Sequence, residues 1–490
     1  MKRRDILKSA GLLGGAGIFG LGFYVLTDDP ADGADPSPPT ETTSKTETEK
    51  PPTDTETTEP PTERTPKASD IPHSESFETV VDAVDVGADP TGKTTVNSLF
   101  EDHGSDGTLL AFEPGTYKID YFNLWNIDHF GIVGYGDGQV KFVPAGGDCR
   151  GGHHWVSFDN VGNLLLENVV FDFRGSSSGG PLHLYLHGDS IIRDVSYLGS
   201  CSNQIATIGV AVQDRRGTAR LKNVVAKNTD RNNTLTGIYV GSSHAGEITF
   251  EDCTLENFSD NGLYASSPGG PGGKNGVVNV LRGNYHNNNI SNVRLGSSNA
   301  RAKGVRITVD EEMPGWGQLN ARGFRLRNAS GQVIEDCEVI FKEGAADSFG
   351  AVVFHQQNGT GLIQNTKIRI DRGGIPAIRI FPYEGAEDGA PKFRDLDITG
   401  RADTGVTARV EGRNGTTFEN CTIEQTTGNR RGLQFVDSAD CRIVDSRIEV
   451  AEAPLAVENS TVEIENCTVR TAAGEERIEH RMLENETLTI

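Results

Sequence analysis

A short motif returns through most of the chain and limits the fold more than any other feature. Successive copies mostly lie 21 to 30 residues apart. In its full form, as at residues 251–255, it reads Glu, then Asp or Asn, then Cys, any residue and an aliphatic residue. The Asp and Asn positions, called here the anchors, are Asn168, Asp194, Asn223, Asp252, Asp336, Asn365, Asp395, Asn420, Asp445 and Asn466. A repeat with this period predicts a solenoid.

The residues around each anchor indicate which solenoid forms. Two apolar positions follow each anchor two residues apart, which is the spacing of a strand with one buried face. A second apolar run follows in most copies and is usually opened by Gly, as at residues 237–240 and 432–435. Leucine-rich repeats need a Leu-rich pattern that is absent, and propeller blades need a period of about 40 residues or more. The sequence therefore predicts an all-β fold, a single-stranded right-handed parallel β-helix, over residues 121–470.

The charge and the cysteine content of the chain limit which partners and metal ions the protein is expected to bind. The formal net charge is −23 and the pI is about 4.9, so no nucleic-acid partner is expected. Such an acidic surface suits a high-salt habitat, where net charge keeps a protein soluble. Cys253, Cys337, Cys421 and Cys467 fall in one motif column, where Cys acts as a small buried hydrophobe. No pair of Cys has the CxxC spacing, so a zinc site has no support.

The first 70 residues are predicted to serve export. Arg3 and Arg4 precede an uncharged run over residues 9–26, and this resembles a twin-arginine signal. Residues 1–26 are thus a signal or an anchor, and membrane anchoring through residues 9–26 stays open. Residues 27–70 are rich in Thr, Pro and Glu and predict a disordered linker. The expected location is extracellular or at the cell surface.

Residues 86–95 and 113–117 resemble the entry segment of the pectate-lyase-like superfamily, and the acidic composition suggests a member of haloarchaeal type. Their sequences are VGADPTGKTT and EPGTY. The resemblance extends over about residues 77–470. It implies an N-terminal cap and first strands at 77–120, with a helix near 96–103 and a strand near 108–112. Residues 471–490 lack the motif and are expected to form a C-terminal cap or tail.

Aligning the second strand of each coil places outward side chains in two ladders. The first ladder is His183, Ala211, Tyr239, Tyr264, Arg294, Arg325, Val353, Arg379, Thr407 and Gln434. The second ladder is Tyr185, Gln213, Gly241, Ser266, Gly296, Arg327, His355, Phe381 and Arg409. Arg offers a planar fork to carboxylate or sulfate, and Tyr offers a flat face to sugar rings. The predicted substrate-binding residues are Tyr239, Tyr264, Arg294, Arg327, Arg379 and Arg409, for an anionic polysaccharide. Alternatively, these Arg pair with acids of adjacent coils, such as Asp310, Glu384 and Asp437.

The resemblance implies cleavage by β-elimination, with an Arg base and calcium as the neutralising cofactor. Arg325 is the candidate base, and His355 is the alternative because its ordinary pKa lies near neutrality. Residues 310–312 are three consecutive acids, but they do not define a calcium site by themselves. The metal ligands are therefore unknown.

Hydrolysis has weaker support. Residues 228–230 resemble the Asn-Thr-Asp motif of polygalacturonase-like hydrolases. The next coil carries Asp260 and Asn261 where those hydrolases have two Asp, and Gly-His-Gly is absent from the coil after it. Asp-Asn-Gly is also a common turn sequence.

Two functions follow from the sequence. The first is an exported, monomeric protein that binds an anionic, uronate-type polysaccharide and cleaves it by elimination. The second is a non-catalytic cell-surface glycan-binding or envelope structural protein. Residues 151–155, which end in Trp155, are interpreted either as a sugar-stacking loop or as a structural loop.

Overall fold

The computed structural model describes residues 71–146, 155–174, 180–199, 206–229, 235–312, 320–385 and 389–481. The expected export signal or anchor, the linker and the end of the C-terminal tail lie outside these residues. Over the ranges described, no helix is both long enough and apolar enough to cross a membrane.

Parallel strands line three faces along the described residues, called here the first, second and third sheets, of which the first two join into one 28-stranded sheet. Coils after the N-terminal one contribute a strand to each face. The first sheet contains Thr79–Asp82, Thr108–Phe112, Gly131–Gly134, Leu165–Phe173, Asp189–Gly199, Thr218–Lys222, Glu247–Glu251, Val277–Leu281, Arg301–Lys303, Gln332–Glu335, Gly361–Gln364, Lys392–Arg394, Thr417–Glu419, Cys441–Val444 and Val462–Glu465. The second sheet contains Thr91–Thr95, Gly115–Ile119, Val140–Pro144, Val225–Lys227, Thr254–Glu256, Asn284–His286, Arg306–Val309, Glu338–Phe341, Lys367–Ile370, Asp397–Thr399, Thr422–Gln425, Arg447–Val450 and Thr468–Thr471. Leu165–Phe173 and Asp189–Gly199 continue into the second sheet as well.

The third sheet has 14 strands. They are Phe122–Trp125, Val156–Gly162, Leu182–His187, Ala206–Val212, Thr236–Val240, Leu263–Ala265, Ser291–Leu295, Arg322–Leu326, Val352–Phe354, Ile378–Ile380, Val406–Glu411, Arg431–Val436, Leu455–Glu458 and Ile478–Arg481. Every pairing between strands is parallel, from Phe122–Trp125 to the last coil. The predicted fold class is confirmed.

The anchors form the corner between the first and second sheets. All ten have a positive φ, between 46° and 56°. Asn and Asp tolerate this left-handed backbone better than most residues, which explains why they recur. Arg282 (φ 58°) and Gly304 (φ 66°) hold the same corner in the two coils between Asp252 and Asp336. These two coils were not visible in the sequence because neither corner residue matches the motif.

Along this corner, Asn side chains stack on Asp side chains. The Asn223 Nδ2 donates to Asp194 Oδ1 at 2.6 Å, and Asn365, Asn420 and Asn466 donate in the same way to Asp336, Asp395 and Asp445. An amide thus lies between successive carboxylates over much of the column. The alternation keeps like charges of neighbouring strands apart.

Asn420→Asp should destabilise the protein, because it places a third carboxylate between Asp395 and Asp445. We expect a loss of about 1 kcal/mol in the free energy of unfolding at neutral pH and low salt, and a smaller loss in high salt. Asn420→Gly is the control, since it keeps the left-handed backbone and adds no charge. Denaturant midpoints in low and high salt provide the measurement. Equal salt-independent losses in both variants would contradict charge repulsion as the cause.

The apolar positions after the anchors fill the interior. Cys253, Cys337 and Cys421 are buried, as predicted, and burial raises the pKa of each thiol to about 12. Their role as small hydrophobes follows, because they stay protonated. The prediction was wrong for Cys467, which is only half-buried. It lies in the last described coil of the second sheet, and among the described residues no further strand pairs with Thr468–Thr471.

The N-terminal coil is covered by the helix Asn97–His103, which begins one residue after its predicted start. The strand Thr108–Phe112 follows, as predicted. The Phe100 ring stacks on Phe122 of the third sheet, with 4.0 Å between ring centroids. The other helical segments described are the short 3₁₀ turns Ser74–Ser76 and Ser267–Gly269.

Candidate functional site

The register of the third sheet defines its outward ladder. In order it reads Asn123, Ser157, His183, Gly209, Tyr239, Tyr264, Arg294, Arg325, Val353, Arg379, Arg409 and Gln434. The prediction put Ala211 and Thr407 in place of Gly209 and Arg409. Both errors are slips of two residues, which keep the face of a strand but change the partner across it. Arg409 therefore belongs to this ladder and lies beside Arg379.

Tyrosines and one arginine form a stacked segment in the middle of the ladder. The ring centroids of Tyr239 and Tyr264 lie 5.3 Å apart, and the guanidinium carbon of Arg294 lies 3.9 Å from the Tyr264 centroid. Arg294 Nε donates to Ser266 Oγ at 2.7 Å. Burial raises the pKa of the Tyr185 hydroxyl, two coils upstream of Tyr239, to about 12. These groups present flat apolar faces with polar edges, as sugar rings require.

The two candidate catalytic residues are enclosed. Arg325 is 1% exposed, although it faces outward, and the neighbouring Arg294 is 5% exposed. His355 is buried, and its Nδ1 accepts a 3.4 Å hydrogen bond from the Gln357 backbone N–H. The predicted roles of Arg325 and His355 remain predictions. A base on either residue would need a substrate that reaches beneath the surface.

The Arg327 side chain is also buried. Its Nη2 donates to Gln357 Oε1 at 2.7 Å, and its Nε donates to the same oxygen at 3.2 Å. Its position follows that of Leu326, so it lies on the outward ladder next to the one that holds Arg325. It is thus close in the fold to His355 but separate from the tyrosine segment.

Asp260 belongs to the site, although the sequence favoured a turn for it. Its Oδ2 accepts from Thr236 Oγ1 at 2.9 Å, and its Oδ1 accepts from Asn261 Nδ2 at 2.7 Å. Burial raises the pKa of this half-buried carboxyl, and the Thr236 hydrogen bond and the charges of Arg294 and Arg325 offset only part of the rise. Ser291 Oγ donates to Asn261 Oδ1 at 2.6 Å and holds the Asn261 amide in place. A carboxyl whose pKa is raised in this way is a candidate general acid.

A second charged cluster lies beyond Val353. Arg379 Nη2 donates to Glu411 Oε2 at 2.8 Å, and Arg409 Nε donates to the same oxygen at 3.1 Å. Burial by itself would raise the pKa of Glu411, but the two guanidiniums lower this pKa by more, so the pKa lies below the ordinary value of a Glu carboxyl. Arg409 remains 34% exposed in its side chain. Two arginines therefore share one carboxylate at an accessible position.

The alternative interpretation was that the ladder arginines form ion pairs with acids. Arg379 and Arg409 do form such pairs, but with a different acid from the three that were named. Asp310 bonds to His286 and Lys342, at 2.7 and 2.8 Å. Glu384 accepts a hydrogen bond from the Gln356 amide, and Asp437 accepts one from the Asn459 amide. The acid that pairs with both arginines is Glu411.

No calcium site emerges among the described residues. Asp310 is held by ion pairs, and Glu312 lies 3.5 Å from Arg372 Nη1. Within the ranges described, no three His, Cys, Asp or Glu side chains gather as metal ligands. Asp230, the acid of the hydrolase-like motif, lies outside the described residues.

Comparison with known proteins found no matching family profile and no matching curated protein. Among solved structures, a GH87 alpha-1,3-glucanase from Streptomyces thermodiastaticus aligns with 84% of this chain and 69% of its own, at 14% identity and TM-score 0.42. The surface adhesin PfbA of Streptococcus pneumoniae aligns with 82% of this chain and 100% of its own, at 12% identity and TM-score 0.41. A family 28 exopolygalacturonase of Yersinia enterocolitica aligns at 10% identity and TM-score 0.29, over 82% of this chain and 78% of its own. Similarities this distant carry no argument about function.

Proposed function

We propose that this protein binds an extended anionic polysaccharide along the outer face of the third sheet. The observation that carries the proposal is the uninterrupted run of Tyr239, Tyr264, Arg294 and Arg325 on four successive strands. Neighbouring strands lie about 4.8 Å apart, so the two tyrosines offer stacking faces at that interval, and the two arginines follow as buried positive charges that an anionic group would have to reach beneath the surface. A polymer with repeating rings and charges matches such a surface.

Local charge supports an anionic ligand. The chain as a whole carries 69 acidic and 46 basic residues. The outward ladder reverses this balance, because Arg294 and Arg325 lie near one carboxyl, Asp260, and Arg379 and Arg409 share Glu411. A carboxylate or sulfate group on a sugar would complete either cluster, and Arg binds such groups with two parallel hydrogen bonds.

The double variant Arg379→Gln and Arg409→Gln should weaken binding of polygalacturonate about tenfold in low salt, because it removes both accessible guanidiniums. The loss should shrink as salt rises. Arg447→Gln is the matched control, since Arg447 is also partly exposed and paired with an acid, Glu449, but lies on the second sheet. Titration calorimetry with polygalacturonate, a sulfated glycan and neutral glucan measures the effect. Equal affinity in all three proteins would refute the anionic site.

A second candidate function is cleavage of the same polysaccharide by elimination. The observation that favours it is Asp260, an acid with a raised pKa beside Arg294 and Arg325. In this reaction the Arg294 guanidinium would neutralise the uronate carboxylate, and the Asp260 carboxyl would protonate the departing glycosidic oxygen. Arg325 or His355 would remove the ring proton, as the sequence predicts.

We also propose that the protein acts outside the cell, exported by the twin-arginine route. Replacing Arg3 and Arg4 together by Lys should hold the protein inside the cell, because that signal is recognised through its arginine pair. Cell fractionation with immunodetection gives the result, and Lys45→Arg in the linker segment is a control for basic substitutions near the N-terminus. Normal appearance of the double variant outside the cell would exclude this route.

A further inference from the structure

We infer that the glycan site extends to the N-terminal end of the third sheet, where Trp125 is a stacking platform for a sugar ring. This inference rests on the proposed function. Trp125 is 65% exposed, the most exposed of the large apolar side chains in the described residues. It points outward, because its neighbour Leu124 is buried in the interior.

The sequence offered a different tryptophan, in a segment interpreted either as a sugar-stacking loop or as a structural loop. Trp155, at the end of the candidate stacking loop, is buried and packs edge-on against Phe173, with 4.6 Å between ring centroids. It therefore belongs to the core. Trp125 instead meets solvent on the face that carries the tyrosines and arginines.

Trp125 is continuous with the proposed site. On one outward ladder Trp125 pairs with Asp159, and Asp159 pairs with Tyr185. The Tyr185 ring lies 3.9 Å from the His183 ring, centroid to centroid. The outward positions in between are small, Gly209 and Ala211.

The chemistry around Trp125 suits the face and the hydroxyl-bearing edge of a sugar ring. The half-buried Asp159 on the next strand is an acid, and burial raises the pKa of its carboxyl. A carboxyl can accept from, or when protonated donate to, a sugar hydroxyl at the ring edge, while the indole covers the ring face. Ten strand steps separate Trp125 from Arg409, which gives a site about 48 Å long. We therefore expect the ligand to be a long chain with several sugar residues.

The test compares glycans of two lengths on the full protein and on Trp125→Ala. The variant should bind long polygalacturonate about five- to twentyfold more weakly, and a trisaccharide with unchanged affinity, because the short ligand needs only the tyrosine and arginine segment. The loss should persist in high salt, since stacking is not screened. Ile191→Ala, another exposed apolar residue but on the first sheet, serves as control.

A second readout uses indole fluorescence. Polygalacturonate should protect the wild-type emission from iodide quenching, and that protection should be lost in Trp125→Phe. Equal affinity of wild type and Trp125→Ala for the long glycan would overturn the platform and leave the proposed function intact. Failure of every glycan to bind the wild type would overturn the proposed function itself.

Discussion

Asp260→Asn should lower the release of unsaturated product from polyuronate by about 100- to 10,000-fold if the protein cleaves its ligand, the range for loss of a general acid. Asparagine keeps the shape of the side chain and its bond to the Thr236 hydroxyl, but it has no proton of suitable acidity. Binding should survive, because the tyrosines and arginines are untouched. Ultraviolet absorbance of the product, with and without calcium, provides the assay.

The pH dependence of glycan binding is a second result for the same variant. As pH rises through the raised pKa of Asp260, the new carboxylate competes with the ligand for Arg294 and Arg325, so wild-type affinity for an anionic glycan should fall. The affinity of Asp260→Asn should stay flat and exceed that of the wild type at the upper end. The free energy of unfolding should fall in the same direction. The stabilising contribution of Asp260 is fully present below the ordinary pKa of an Asp carboxyl, and it is lost as pH rises through the raised pKa of the folded protein.

The outcomes separate the two functions. If wild type forms no product from any uronate but binds one, with the pH dependence above, the protein is a glycan binder and Asp260 tunes its affinity. If product forms and Asp260→Asn retains full turnover, Asp260 is not the acid. Asp437→Asn is the control, since Asp437 lies in a corner turn, bonded to Asn459 and several coils away from Asp260.

Arg413→Met should lower the free energy of unfolding by about 3–5 kcal/mol. Arg413 is 1% exposed and holds three coils together through backbone carbonyls. Its Nε donates to Phe381 O at 2.6 Å, its Nη1 to Asn358 O and Gly359 O at 2.6 and 2.9 Å, and its Nη2 to His355 O at 2.9 Å. Methionine fills similar volume but leaves these acceptors buried without donors.

Denaturant midpoints of the full chain measure this loss, and Arg394→Met is the matched control. Arg394 is half-exposed and pairs with Glu419 at 3.1 Å, so its replacement should change stability by less than about 1 kcal/mol. Similar losses in both variants would contradict the special role of Arg413. Burial lowers the pKa of the Arg413 guanidinium to about 10, so the clamp stays charged at neutral pH.

The sequence predicted the fold well because the repeat is read at many positions, so an error in one coil does not change the conclusion. Prediction from the sequence failed at positions where a single residue determines the local structure. Arg282 and Gly304 form corners although neither matches the motif. From the sequence alone Arg413 is expected at the surface, and only the packing of neighbouring coils around it shows that it is buried. The ladder was largely recovered, because slips of two residues keep the face. Asp260 was passed over because Asp-Asn-Gly is a frequent turn, and only the approach of Arg294 and Arg325 distinguishes it.

The corner column of alternating Asn and Asp has a consequence for the lifetime of the protein. Slow hydrolysis of a side-chain amide turns asparagine into aspartate, and Asn is among the thermolabile residues. At Asn420 or Asn365 that single event would place carboxylates of three successive coils in contact. Chemical ageing would therefore reproduce the substitution tested above, one coil at a time. High salt screens neighbouring charges, so a molecule in which one of these asparagines has become aspartate would lose less stability there. The hydrolysis itself would not be slower.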